Sequence, residues 1–108
     1  MKRSTTSFTT PPADEAARHL GSLVRQGRLA HQWTLAELAE RARMGTATLK
    51  RIEKGAPSVS LGVWLSAFEC LGLLPLLNKL DDPAAAALLN ETRAKRARRK
   101  GAAADLDF

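Results

Sequence analysis

The segment between Thr34 and Gly55 restricts the fold of this 108-residue chain more than any other. Thr34 and Glu37 have the spacing of a capping box, in which the hydroxyl and the carboxylate each accept a backbone N–H at the start of a helix. This predicts a short helix over 35–42, a three-residue connection, and a second helix over 46–54 that ends at the glycine. Two short helices joined by such a tight turn are typical of a helix-turn-helix, although a helical hairpin in another small bundle has a similar pattern.

The predicted inner and outer faces of this helix pair differ in chemistry. Ala39 and Ala42 are small residues where two helices must cross closely, and the apolar Met44 fills the turn. Leu49 and Ile52 form the inner face of the second helix. Its outer face holds Thr46, Ala47, Lys50, Arg51 and Lys54.

The flanking segments predict further helices and no strands. Apolar residues at spacings of three and four predict an amphipathic helix over 13–31. Ser60 caps a fourth helix, whose wide apolar stripe (Leu61, Trp64, Leu65, Phe68 and Leu71) ends at Gly72, and a short fifth element begins near Pro75. The last helix is expected over 83–100, with Pro at its first position. The fold class is therefore all-α.

Four segments follow from these boundaries. Residues 1–12 are rich in Ser and Thr and are expected to form a flexible leader. Residues 13–80 form a five-helix helix-turn-helix domain, residues 81–100 a basic C-terminal helix, and residues 101–108 a disordered tail.

The net charge of +6 is concentrated in one short run. Residues 93–100 carry six basic residues and no acidic one, whereas residues 1–92 carry 11 basic and 9 acidic residues. Such a run is either a solvated helix end or a segment that binds nucleic-acid phosphates, because Lys and Arg displace condensed counterions.

Several classes of protein are excluded by composition. One cysteine, Cys70, and two histidines, His19 and His31, are too few for a disulfide within the chain or a structural zinc site. No apolar run approaches the roughly 18 residues of a membrane span, and the N-terminus lacks the apolar core of a secretory signal. The sequence contains no recognisable set of a nucleophile, a general base or metal ligands that would form a catalytic site. We therefore expect a cytoplasmic protein that is not an enzyme and needs no cofactor or metal.

The stretch WTLAELAERARMGTATLKRIEKGAPSVSLGVWLSAFECLGL resembles the helix-turn-helix family of phage repressors, Cro proteins and their bacterial relatives, the xenobiotic-response-element family. The resemblance spans about residues 18–74 and implies a lambda-repressor-like fold. Its signature is carried by Thr34, Glu37, Leu38, Ala39, Met44, Thr48, Leu49, Ile52, Glu53, Gly55 and Pro57.

The resemblance implies roles for individual side chains. Arg51 is expected to contact guanine through two hydrogen bonds, and Ala47 to pack on a thymine methyl group. Arg28 and Glu53 match a structural ion pair of the family. The expected base-contacting residues are Thr46, Ala47, Lys50 and Arg51. The expected phosphate-contacting residues are Thr34, Arg43, Thr48 and Lys54.

Two positions depart from the family pattern. Leu35 stands where the family commonly has a glutamine that anchors a phosphate. Arg43 stands where the turn usually has glycine, and this arginine is expected to supply the phosphate contact that Leu35 has lost.

The stretch after Gly55, with the later LDDP and KRARRK segments, resembles the antitoxins of HipB type. That resemblance implies a type II toxin–antitoxin system in bacteria, in which a homodimer binds a palindromic operator and neutralises a HipA-like serine/threonine kinase toxin. The leucine-rich residues 71–80 agree with a dimer or partner surface. The alternatives are a stand-alone transcriptional repressor of the same fold and a protein-interaction module that barely binds DNA.

Overall fold

A computed structural model describes residues 9–106, with side chains as far as Gly101. Within that part all regular structure is helical, which confirms the all-α class. Most of the expected flexible leader, residues 1–8, lies outside the described residues. The helices are α1 (Pro11–Ala30), α2 (Leu35–Arg41), α3 (Thr46–Glu53), α4 (Leu61–Cys70), α5 (Leu74–Asn78) and α6 (Pro83–Leu106).

The chain divides into two compact units. The first ends at Leu77 and the second begins at Asn78. The first unit contains α1 to α4 and most of α5, and the second contains α6.

Side chains before α1 and α2 explain where these helices begin. The Thr10 hydroxyl accepts the N–H of Ala13 at 3.3 Å, and prolines occupy the first turn, where their missing N–H groups cost nothing. Residues 11 and 12 therefore belong to α1 and not to a leader. Thr34 and Glu37 form the expected capping box, with bonds of 3.1 and 3.4 Å.

The helices α1 to α4 end in the same hydrogen-bonded turn. In each turn a residue with positive φ donates its N–H to the carbonyl three residues back, and the next N–H bonds five residues back, at 2.8–3.1 Å. This is the Schellman motif, which normally places glycine at the left-handed position. Gly55 and Gly72 fulfil that rule, whereas Gln32 and Arg43 both adopt φ 58° without being glycine.

The hydrophobic core lies between α1, α2, α3 and α4. Leu38 is fully buried and Leu35 only partly, so Leu38 is the inner residue of α2. In α4 the expected stripe is narrower than predicted, because Leu61 is 72% exposed. The buried cluster consists of Val24, Leu38, Ala39, Leu49, Ile52, Val59, Trp64, Ala67, Phe68 and Leu71.

Helices α1 and α3 cross at two glycines. A Cβ atom on Gly21 would lie 2.3 Å from the carbonyl oxygen of Ile52, and one on Gly55 would lie 2.4 Å from Cα of Arg18. Both obstacles are backbone atoms, which cannot move away as a flexible side chain can. Gly55 was expected only as a helix end, and the requirement for Gly21 is not visible in the sequence pattern.

Helix α6 begins as expected and ends later. The Asp82 carboxylate caps it by accepting the N–H groups of Ala84 and Ala85 at 3.0 and 3.3 Å. The helix continues through Gly101 to Leu106, so the prediction of a disordered tail is wrong as far as residue 106. Alanines follow the glycine, and their high helix propensity offsets the roughly 1 kcal/mol that one glycine costs.

Candidate nucleic-acid interface

The outer face of α3 presents polar side chains to solvent. Thr46, Ala47, Lys50 and Arg51 are exposed, as expected for groups that contact bases. Leu49 and Ile52 on the opposite side are completely buried. Packing of these two apolar residues fixes the rotation of α3 about its axis and therefore which side chains face outward.

The N-terminus of α3 is open. Its N-cap residue is Gly45, and among the described residues no side chain caps the helix and none in its first turn is acidic. The first backbone N–H groups of a helix carry partial positive charge and bind anions when no side chain occupies them. Thr46 and Thr48 lie in this first turn, where a phosphate oxygen has both amide and hydroxyl donors available.

The structure brings Arg28 of α1 and Glu53 of α3 together. Nε and Nη2 of Arg28 donate to the two carboxylate oxygens at 2.7 and 3.1 Å, and Nη1 donates to the carbonyl of Trp33 at 3.0 Å. The two side chains are 12% and 9% exposed. The hydrogen bonds and negative charge of Glu53 raise the pKa of Arg28, although burial opposes them. The pair therefore joins α1, the end of α3 and the residue before the α2 cap.

An open cleft beside this ion pair contains Leu35. Lys50 of α3, Lys54 directly after α3 and Arg25 of α1 also line it. Arg25 was not identified from the sequence. A signal was available, because Arg25 and Arg28 are three residues apart and so lie on the same face of α1. Three cations, Arg25, Lys50 and Lys54, thus lie around Leu35 in this cleft.

Arg43 lies at a different cleft, where α2 approaches α4. That cleft is lined by Arg41, Arg43, Ser66, Glu69 and Cys70, and Leu35 is not part of it. The structure therefore does not bring Arg43 to the cleft of Leu35, where it was expected to supply a phosphate contact. Cys70 is half-buried, and burial together with the charge of Glu69 raises its pKa.

Thr34 is exposed at the start of α2 and has one hydrogen-bonding function to spare. Its oxygen accepts the N–H of Glu37 at 3.1 Å. A hydroxyl that accepts a bond still has its own O–H as a donor. Phosphate oxygens only accept, so the capped Thr34 is still able to bind one.

Arg51 is held by a residue that the sequence analysis missed. Its Nη2 donates to the Ser58 hydroxyl at 2.6 Å. Ser58 is itself exposed and lies next to the buried Val59, in a loop whose Ala56 N–H bonds to the Arg51 carbonyl at 2.9 Å. A guanidinium has five N–H donors, so donors remain for a base.

The aromatic residues divide between core and surface. Trp64 and Phe68 are buried and stack with ring centroids 6.2 Å apart, as expected for core residues. Trp33 is only half-buried. Its ring stacks on His31 at 4.4 Å, and the Arg41 guanidinium carbon lies 4.4 Å from the ring centroid. Trp33 therefore packs between His31, after the end of α1, and Arg41 of α2.

A capped helix, a tight turn and a second helix with a buried inner and a polar outer face define a helix-turn-helix domain, a class of domain that binds DNA. The family model for the helix-turn-helix domain matches residues 19–78, more than half of the chain. The chain belongs to this helix-turn-helix family. No curated protein and no solved structure matches it significantly.

No helix within residues 9–106 has the length and hydropathy of a membrane span. Among the side chains that the structure describes, no three of His, Cys, Asp or Glu are grouped as metal ligands would be.

Proposed function

We propose that this protein is a sequence-specific DNA-binding repressor that acts as the antitoxin of a type II toxin–antitoxin system. The observation that carries the DNA-binding part is the exposed polar face of α3, whose rotation is fixed by buried Leu49 and Ile52. In this proposal Arg51 reads guanine through two hydrogen bonds and Ala47 packs on a thymine methyl group. Thr46 and Lys50 contact the neighbouring base edges.

Phosphate contacts position α3 in the major groove in this proposal. Thr34 and Thr48 donate hydroxyl hydrogens, and Lys54 and Arg43 supply charge, as the family resemblance implies. Arg25 joins them, because it lines the same cleft as Lys54 and Leu35. Cations from α1 and α3 thereby replace the amide anchor that Leu35 cannot supply.

A homodimer is part of the proposal. One α3 of eight residues covers only a few base pairs, and two-fold symmetric dimers place two recognition helices about 34 Å apart on successive major grooves. Leucines on α4 and α5 support a subunit interface, because Leu61 is 72% and Leu76 55% exposed. The operator is then palindromic, in keeping with the symmetry of the dimer.

The antitoxin role rests on the resemblance to HipB-type proteins in the sequence after Gly55. The partner in this proposal is a HipA-like serine/threonine kinase toxin, and both proteins act in the bacterial cytoplasm. Co-expression with the kinase encoded beside the gene tests this part: a stable complex that restores growth is expected. If the two proteins neither co-purify nor affect growth together, the chain is a stand-alone repressor.

DNA binding is tested by substitution of Arg51. In a binding assay against the protein's own promoter and randomised duplexes, Arg51→Ala is expected to lower operator affinity by about 10- to 100-fold and to relax the preference at one base pair. Arg25→Ala is the control, expected to weaken binding to all sequences alike and to lower the salt slope by about 1. Unchanged base preference in Arg51→Ala contradicts the proposed readout, and absence of any DNA binding by the unmodified protein contradicts the function.

A further inference from the structure

Helix α6 carries its positive charges on two sides. At about 100° per residue, Arg93, Arg96 and Lys100 fall within about 60° of one another around the helix axis. Lys95, Arg98 and Arg99 fall within about 100° of one another on the other side, and the six cations together form an arc of about 220° in which Arg96 and Arg99 are about 60° apart. All six are exposed, and the residues between them, Ala94 and Ala97, are too small to form an apolar stripe.

The charges of this run are not neutralised within the helix. In the described part of α6 the ion pair is Lys95–Glu91 at 3.6 Å, and its side chains are 61% and 60% exposed. Solvent and salt weaken such a pair strongly. Arg98 donates through Nε to the carbonyl of Ala94 at 3.4 Å, which does not compensate its charge.

This distribution limits what can bind the helix. A helix that inserts into a membrane interface requires a broad apolar face, which residues 93–100 lack. An anionic membrane surface that attracts basic residues by charge alone is flat and contacts only one side of a helix. A flat acidic protein surface contacts one side of a helix and leaves the cations of the other side in solvent. A groove with negative charge on both walls contacts both sides.

We propose that residues 93–100 enter the major groove of duplex DNA as a continuous helix, and that their two basic sides contact the phosphates of the two strands. The major groove is about 12 Å wide, and a helix with its side chains is about 10–12 Å across. The major groove of duplex RNA is deep and narrow and does not fit a helix in this way. The inference deepens the proposed function, because DNA is the ligand in both, but it concerns sequence-independent contacts.

Three variants of the full-length protein test it. R93Q/R96Q/K100Q removes one basic side, K95Q/R98Q/R99Q removes the other, and the sixfold variant removes both. Glutamine has nearly the helix propensity of Lys and Arg, so α6 is retained, which circular dichroism checks. R18Q/R41Q/K79Q removes three exposed charges elsewhere in the chain and controls for net charge.

The measurement is the salt dependence of binding to a DNA duplex without an operator. Each triple variant on α6 is expected to lower the slope of log K against log salt by about 2 to 3, the two effects being similar and roughly additive. The control triple is expected to lower it by less than 1.

Other results overturn the inference. If only one of the two α6 triple variants lowers the slope, the helix contacts a flat surface and not a groove. If neither lowers it, α6 does not contact DNA. Tighter binding to duplex RNA than to duplex DNA shows that RNA is the ligand of α6. Operator preference is measured separately, as the difference in affinity between promoter and operator-free duplex. If the protein shows no preference for the promoter but the α6 triple variants still lower the salt slope, the proposed function is refuted and the α6 contact is not. If the protein prefers the promoter but the α6 triple variants leave the salt slope unchanged, only the α6 contact is refuted.

Discussion

Helices α3 and α6 are both basic, but only one of them has a buried side. In α3, Leu49 and Ile52 are fully buried, and Arg51 is tethered to Ser58. In α6, among the side chains described to Gly101, none is buried, and the charges point to both sides. A helix whose rotation is fixed by packing can hold chosen side chains against chosen bases. A helix without a packed side has no fixed face, which suits contacts to the repeating phosphate backbone.

The largest predicted difference between the two regions concerns glycines inside helices. Gly21→Ala is expected to destabilise the domain by at least about 3 kcal/mol, because its Cβ would collide with backbone atoms of α3. Gly101→Ala in α6 meets nothing within 4 Å and is expected to stabilise the helix by about 0.5–1 kcal/mol. Urea unfolding measures the first effect, and amide hydrogen exchange of α6 measures the second.

The test is that the two alanine substitutions change stability in opposite directions. Helix propensity alone predicts stabilisation by alanine at both positions. A stabilised Gly21→Ala variant shows that α1 and α3 do not approach as closely as described.

The ion pairs of the two regions also differ in burial, because Arg28–Glu53 is largely buried and Lys95–Glu91 is exposed. Arg28→Ala is expected to cost about 3 kcal/mol, because Glu53 stays in a site that is 9% exposed and loses its partner. Glu91→Ala removes the exposed pair with Lys95 and is expected to change stability by less than about 0.5 kcal/mol. Thermal unfolding of both variants, with exposed Arg25→Ala as the control on α1, gives the comparison. Equal effects of Arg28→Ala and Arg25→Ala rule out a structural role of the pair.

The two non-glycine turn residues form a matched pair. Arg43→Gly and Gln32→Gly each remove a side chain from a residue at φ 58° and are each expected to stabilise the domain by about 1 kcal/mol. Arg43→Gly is also expected to weaken DNA binding a few-fold for all sequences, since it removes a proposed phosphate contact. Gln32→Gly keeps full affinity. Identical DNA binding by the two variants indicates that Arg43 serves the cleft beside α4 instead.

The last prediction concerns the hydrogen bond between Arg51 and Ser58. Ser58→Ala frees the guanidinium and is expected to lower operator affinity about three- to tenfold, which corresponds to about 1 kcal/mol, the typical value of one hydrogen bond. Binding to operator-free DNA stays unchanged. Ser60→Ala is the control, because no cap bond from this side chain is found among the described residues. If Ser58→Ala has the same effect in an Arg51→Ala background, Ser58 contacts DNA directly and does not position Arg51.

Local signals predicted most of the elements. The capping box at Thr34 and Glu37, the glycine endings at Gly55 and Gly72, and the Asp82-Pro83 start are determined by residues within one turn of each boundary. The end of α1 at Gln32 and the turn at Arg43 have the same hydrogen bonds without the glycine signal. The extension of α6 past Gly101 was missed because a single glycine looks like a stop.

The candidate site was predicted less completely than the elements. Helical periodicity indicated the outer face of α3 and the identity of its exposed residues. It did not indicate Ser58, seven residues beyond Arg51 and outside the helix, or Arg25 at the cleft of Lys54. These neighbours come from a loop and another helix, so no spacing rule within α3 contains them.

The amino-acid sequence by itself determined the helices, their order, the helix-turn-helix pair and the concentration of charge after Thr92, because these depend on residues that are close together in the chain. The tertiary structure alone decided that Gly21 must be glycine, that Arg25 joins Lys50 and Lys54 at Leu35, and that Ser58 holds Arg51. Each of these depends on the distance between elements that are far apart in the chain. Packing of the core sets that distance, and the pattern of a single helix does not contain it.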